Sequence, residues 1–390
     1  MSTKTDKLEF ISESLDQRKA EHRFRELVRI DPELQAAEVN KGGRRMLNFC
    51  SNDYLGLATH PEVISKSREY LEKFGAGSTS SRLVSGNFSI HEELEADLAK
   101  TFGTEAAILF NTGFQANATI LSTLADRNSF ILADRNVHNS LLQGAVLSRA
   151  DLQRYHHNDY NHLEELLKKA QQESYNRILI VSETVFSMDG DRTDVEHLIF
   201  LAKKYDALLF SDDAHALGVL GEKGLGLNYG KVGIDISLGT FGKAFGSFGA
   251  FVACSKQMKD YLINFCAGFI YTTALPPTVI GALSASLKLI PSMDKERTHI
   301  LNLTQYFKNE IEELGFETGS SNSQIIPVIV EGEEQTIALS GELERDGILA
   351  TAIRPPTVSS GSSRIRITIT AKHKKDQIDQ LVRAFRKGKS

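Results

Sequence analysis

Cysteine is scarce in this chain of 390 residues, which holds only Cys50, Cys254 and Cys266, each in a different context. With no CxxC pair and an odd total, a zinc ribbon, a redox dithiol and a disulfide scaffold are excluded, and the three are expected to be reduced packing residues. No metal is expected. Long apolar runs are also missing: no segment gives 18 apolar residues in succession, which removes a membrane-spanning helix and any membrane partner. The opening MSTKTDKLEFISESLDQRKAEHRFREL has no apolar core of the signal-peptide kind, so a cytoplasmic protein is expected. Charge of one sign is lacking as well. A formal net charge of -5 from mixed acids and bases gives no general attraction for phosphate backbones, so no nucleic-acid partner is expected.

What remains is the composition of a folded enzyme-sized protein, 41% apolar and 24% charged, long enough for about two domains. Residues 1–45 read as an N-terminal arm whose opening helix runs to about residue 30, with Leu8, Ile11, Leu15 and Phe24 on one face. Over residues 46–290, short apolar runs such as AAILF, RILIVSETV, ALLFSDDAH and FGAFVACS alternate with helical stretches such as HEELEADLAKTFG. Strands apolar on both faces and separated by helices predict a large α/β domain around a mostly parallel sheet. Residues 291–390 change texture and predict a smaller α+β domain. In its strand RIRITITA, Ile365, Ile367 and Ile369 alternate with Arg364, Arg366, Thr368 and Thr370, so one face is expected to be buried and the other polar. The closing helix places Ile378, Leu381, Val382 and Phe385 on one face.

Four segments could carry chemistry. In GTFGKAFGSFG (239–249), Lys243 follows a strand-like run among small and apolar residues, where desolvation would lower its pKa and suit it to Schiff-base formation. A lysine snorkelling from a glycine-rich turn would look the same. The strand ALLFSDDAH ends in Asp212, Asp213 and His215, at the carboxyl end where parallel α/β sheets place ligands. A carboxylate there could keep a pyridinium nitrogen protonated and a histidine could bond the phenolic oxygen of pyridoxal phosphate (PLP), although capping aspartates and structural histidines are common. Asp212 and Lys243 are one crossover apart, so they could sit on adjacent strand ends. In AAILFNTGFQANATI, Gly113 opens a helix after a strand and could let N–H donors approach a phosphate, as could any ordinary strand-to-helix turn. His138, in ADRNVHNS, could stack on a planar ring. The GxGxxxG spacing of GLGLNYG follows no clear strand, which gives a nicotinamide enzyme little support.

Taken with SNDYLGL (51–57), HEELE (91–95), FSMDGD (186–191), SDDAHALGVLGEKG (211–224), YTTALPP (271–277) and AIRPPTV (352–358), these segments resemble the α-oxoamine synthases from about residue 10 to 385. Those are fold-type I PLP enzymes that condense an amino acid with an acyl-CoA. The resemblance implies that Lys243 carries PLP covalently, Asp212 pairs with the ring nitrogen, His215 meets the ring oxygen and His138 stacks on the ring. It implies that Gly113, Phe114 and Thr240 hold the phosphate, that Thr272 or Thr273 reaches the phosphate of a partner subunit, and that Ser187 touches cofactor or substrate. Arg354 is implied at the amino-acid carboxylate with Asn52 and Thr357 nearby, and Arg25 at the acyl site. The implied substrates are L-alanine and an acyl-CoA, with glycine and serine the choices of sister enzymes, and the implied assembly is a homodimer with shared sites. The loop GAGSTSSRLVSGN (75–87) carries Arg82 where some relatives have small residues, a departure that bears on acyl-chain preference.

Overall fold

The computed structural model describes residues 7–21, 23–34 and 36–389. Its first helix, α1 (Glu9–Ala20), is shorter than expected: the chain from Arg23 to Ile30 has no helix, and none of the residues of α1 is buried. Leu8, Phe10, Ile11 and Leu15 all lie exposed, so the apolar face read from the sequence is not drawn into the core. Three short strands follow, β1 (Asp31–Pro32), β2 (Glu38–Lys41) and β3 (Arg44–Asn48), joined as antiparallel neighbours.

The centre is a seven-stranded sheet built from β4 (Ala106–Phe110), β5 (Ser129–Asp134), β6 (Asp151–Tyr155), β7 (Arg177–Glu183), β8 (Leu208–Asp212), β9 (Ile236–Thr240) and β10 (Ala250–Cys254). Its order is β4-β10-β9-β8-β7-β5-β6, parallel throughout except for β10, which runs against both of its neighbours. Helices cover both faces, which explains the unbroken apolar runs. In β5, Ile131 and Ala133 join one apolar cluster and Phe130 and Leu132 another on the opposite side. Cys254 and Cys266 are buried free thiols and Cys50 is free and half-buried. No helix among the described residues is long and apolar enough to cross a membrane.

Beyond the sheet, β11 (Ile325–Glu331), β13 (Thr351–Ile353) and β14 (Ser363–Thr368) form a second, antiparallel sheet, and β12 (Ile348–Leu349) pairs with β3 in parallel. The polar face of β14 differs from expectation: Arg364 and Arg366 are buried, as are Thr368 and Thr370. Instead of water, that face meets the 186–191 loop. Arg364 donates to the Met188 carbonyl and pairs with Asp189, and Arg366 Nε donates to the Ser187 carbonyl at 2.7 Å. The same loop is clasped from the other side by His157, which bridges Asp134 (2.9 Å) and Asp191 (2.8 Å). Burial opposes its charge, yet the two carboxylates raise His157 to about 10, so it holds both as an imidazolium at neutral pH.

Candidate active site

Strand ends converge on one cavity of about 250 Å3, lined by Asn52, Gly113, Phe114, Asn117, His138, Ser140, Glu183, Asp212, His215, Thr240, Lys243 and neighbouring backbone. β8 and β9 are parallel neighbours, so Asp212, the last residue of β8, and Lys243, three residues past β9, reach the same space. The turn bearing Lys243 is held tightly. Gly246 has φ +63°, and a Cβ there would lie 2.1 Å from the Ala58 nitrogen, so only glycine allows the close approach to the SNDYLGL segment. Burial lowers the Lys243 amine to about 8; Asp212 and Glu183 oppose that shift and Arg366 adds to it. The amine can therefore exchange protons near neutral pH.

The adjacent aspartates face different ways. Asp212 accepts from Asn117 Nδ2 (2.8 Å) at one oxygen and from the Ala214 backbone (2.9 Å) at the other. Asp213 instead accepts from Thr184 and from the Leu227 and Asn228 backbones, and burial lifts it to about 7. It shapes the 226–228 loop and leaves the site to Asp212. Register places Glu183 beside Asp212, the two final residues of β7 and β8. Burial and the Asp212 charge push Glu183 well above the ordinary carboxyl range, with Lys243 opposing, and Glu183 accepts the His138 backbone N–H. His138 opens α3 (Asn139–Ser148) with its ring bonded to Ser140, and burial lowers its pKa, with Asp212 opposing.

At the other end of the cavity β4 runs into α2 (Gly113–Leu124), whose N-cap Thr112 accepts from the Gln115 backbone at 3.0 Å. A Cβ at Gly113 would stand 2.5 Å from Thr240 Cγ2, and the buried Thr240 Oγ1 has no partner among the described residues. A helix N-terminus, a glycine that keeps the approach open and an unspent buried hydroxyl suit an anion. With the Lys243 amine and the Asp212 carboxylate in the same cavity, these residues fit PLP, whose aldehyde Lys243 could take and whose ring nitrogen Asp212 could meet.

Other expected residues lie outside the cavity. Ser187 is buried beside it, its carbonyl held by Arg366, whose Nη2 also donates to Asn52 Oδ1 at 3.3 Å. Because arginine only donates, the Asn52 amide is fixed with its oxygen toward Arg366, leaving its NH2 for the cavity. Thr272 and Thr273 are bound by Asn111 Nδ2 of their own chain, at 2.8 Å each. Arg354 is half-buried just past β13, and Thr357 is exposed, its backbone bonded to the Arg354 carbonyl. Arg25 is exposed; it is Arg23 that pairs with the rest of the molecule, at Glu333. Arg82 lies away from the cavity in a forked pair with Glu95 (2.8 and 3.2 Å), to which Lys259 adds a third bond. Its charge is spent on the fold. Sequence reasoning missed Asn117, Ser140, Glu183, Tyr54 and Arg366. The first of these carried a signal: Asn117 is one helical turn after Gly113 and shares its face.

Comparison with known proteins shows the family. The family model for aminotransferase class I and II matches residues 44–385. A protein of Desulfosudis oleivorans, provisionally named 8-amino-7-oxononanoate synthase, is 47% identical over 97% of this chain and 98% of its own. Among solved structures, SPT (serine palmitoyltransferase) with PLP superposes with a TM-score of 0.90 at 28% identity, covering 98% of each chain. The 8-amino-7-oxononanoate synthase of Francisella tularensis does so with a TM-score of 0.77 at 28% identity, covering 88% of this chain and 97% of that one. The chain belongs to the aminotransferase class I and II family of PLP-dependent enzymes, in its α-oxoamine synthase branch.

Proposed function

We propose that this protein joins L-alanine to the acyl group of a pimeloyl thioester, releasing the thiol and carbon dioxide and forming 8-amino-7-oxononanoate. The observation that carries this reading is the convergence of Lys243, Asp212, His215 and His138 on one cavity, in a chain 47% identical to a relative with that name. PLP, when bound, supplies an electron sink for the pair left on the amino-acid α-carbon. Lys243 would anchor it, then take the α-proton at Nζ and return a proton at the end, a role its amine suits at a value of about 8. Asp212 would keep the ring nitrogen protonated, and the Asn117 and Ala214 donors hold its oxygens in place for that contact. His215 would donate to the ring oxygen and His138 would lie on the ring face. Gly113, Phe114 and Thr240 would hold the phosphate.

The amino-acid carboxylate would fall to Arg354, with Thr357 and the free NH2 of Asn52 nearby, and the distal acyl carboxylate to Arg25. Ser187, tied to Arg366, would border the substrate. Once the α-carbon is joined to the acyl carbonyl, the thiol leaves, and the carboxylate now β to a ketone is lost as carbon dioxide. Holding both substrates at one centre converts an encounter of two molecules into a reaction within one complex. Two copies would complete the site, with Thr272 or Thr273 reaching the partner's phosphate. The exposed Phe10, Ile11 and Leu15 of α1 and the exposed Val84, Leu147 and Tyr271 support such a homodimer. A cytoplasmic location belongs to the same reading.

The higher TM-score against SPT favours one alternative, condensation of serine with a long-chain acyl-CoA. Thiol release by PLP-loaded protein separates the two. Pimeloyl-CoA with L-alanine, but not with glycine or L-serine, is the expected productive pair. Release only from palmitoyl-CoA with L-serine would reassign the substrates.

A further inference from the structure

Behind the cavity wall a short chain of polar side chains runs from β14 to His215. Arg366 Nη2 donates to Asn52 Oδ1, the Tyr54 hydroxyl lies 3.3 Å from that same oxygen, and it lies 2.6 Å from His215 Nδ1. Tyr54 is fully buried and His215 nearly so, and Gln324 fixes the His215 backbone by donating to its carbonyl at 2.7 Å. His215 lines the cavity, and its ring bond to Tyr54 uses Nδ1, so Nε2 is the nitrogen left to face a ligand.

Which nitrogen holds the proton depends on the direction of the bond to Tyr54. A phenol O–H is a stronger donor than a neutral imidazole N–H, and an imidazole nitrogen is a stronger acceptor than a phenol oxygen. The 2.6 Å contact is short, as expected for O–H donation, whereas 3.3 Å to Asn52 is at the long limit. We propose that Tyr54 donates to His215 Nδ1 and thereby fixes the histidine as the Nε2–H tautomer, a hydrogen-bond donor aimed into the cavity. Tyr54 is then a positioning residue that acts through His215. Burial supports this: it lifts Tyr54 to about 12, against the pull of Arg366, and keeps His215 neutral, with Lys243, Arg366 and His138 acting in the same sense. The inference rests on PLP as the ligand for the purpose of the donor, while the tautomer itself is a property of the protein alone.

Nitrogen-15 NMR of the full-length protein with ring-labelled histidine, without PLP, tests it directly, with the His215 signals assigned by their loss in His215→Asn. The expected result is a protonated nitrogen at Nε2 and a bare, hydrogen-bonded one at Nδ1. A proton found on Nδ1 would overturn the proposal without any need for a Tyr54 variant. In Tyr54→Phe, which keeps the ring packing, the Nδ1 pattern should change and the Kd for PLP should rise about tenfold, the worth of one charge-assisted hydrogen bond. The pH midpoint of the bound cofactor's visible band should also move upward, because an oxygen that has lost its donor holds its proton more tightly. An unchanged nitrogen pattern together with unchanged PLP affinity in Tyr54→Phe would contradict it. Failure of the unmodified protein to bind PLP would strike the cofactor reading instead and leave the tautomer to be judged on the PLP-free spectra.

Discussion

The two ends of the cavity are prepared in opposite ways. At the end proposed for the ring the functional side chains are each held by a protein partner: Asp212 by Asn117 and Ala214, His138 by Ser140 and Glu183, and His215 by Tyr54. At the phosphate end the Thr240 hydroxyl is buried without a partner, beside a helix N-terminus and a glycine with room for nothing larger. The ring end is therefore organised for charge that develops during reaction, where fixed donors need no rearrangement at the moment of need. The phosphate end is left unsatisfied, so that its bonds are realised only when the anion arrives. Ring-end changes should thus strike turnover, and phosphate-end changes should strike cofactor affinity.

The largest effect should come from Lys243→Ala, which removes both anchor and proton carrier. Turnover is expected to fall by more than about 10^3-fold, measured as thiol release. Asp212→Asn comes next: it keeps the shape and the Asn117 contact but loses the charge, so kcat should fall by roughly 10^2- to 10^3-fold with PLP still bound. A loss of PLP with unchanged kcat in the remaining holoenzyme would break the distinction between the two ends. The rate at which PLP-free protein captures the cofactor should climb about tenfold per pH unit below the Lys243 value of about 8 and level off above it. The sign follows from burial, which favours the neutral amine, and only the neutral amine is nucleophilic. Mildest is Thr240→Val, expected to raise the Kd for PLP about tenfold and to leave kcat at saturating PLP within about twofold.

Much of this was legible in the sequence because it is local. Apolar runs alternating with helices gave the central sheet, and the residues at strand ends, Asp212, His215, Gly113 and Lys243, fell into one cavity because parallel strands deliver their carboxyl ends to one side. The residues that were missed act across the fold. Glu183 becomes informative only when register sets it beside Asp212, and Tyr54 only when the SNDYLGL segment is folded behind His215. The alternation in β14 marked a polar face correctly but could not say what it meets; here it meets a loop whose carbonyls need Arg364 and Arg366. The arm failed for a different reason. A helix of twelve residues that buries none of its side chains has little beyond intrinsic propensity to extend it, so a pattern alone does not set its end.

The central claim is that Lys243 is the one amine that carries PLP. Borohydride reduction of the PLP-loaded protein, followed by peptide mass mapping, tests it most directly. The account predicts a stable pyridoxyl adduct on the peptide holding Lys243 and no adduct in Lys243→Ala; an adduct on another lysine, or an equal yield in the variant, would contradict it.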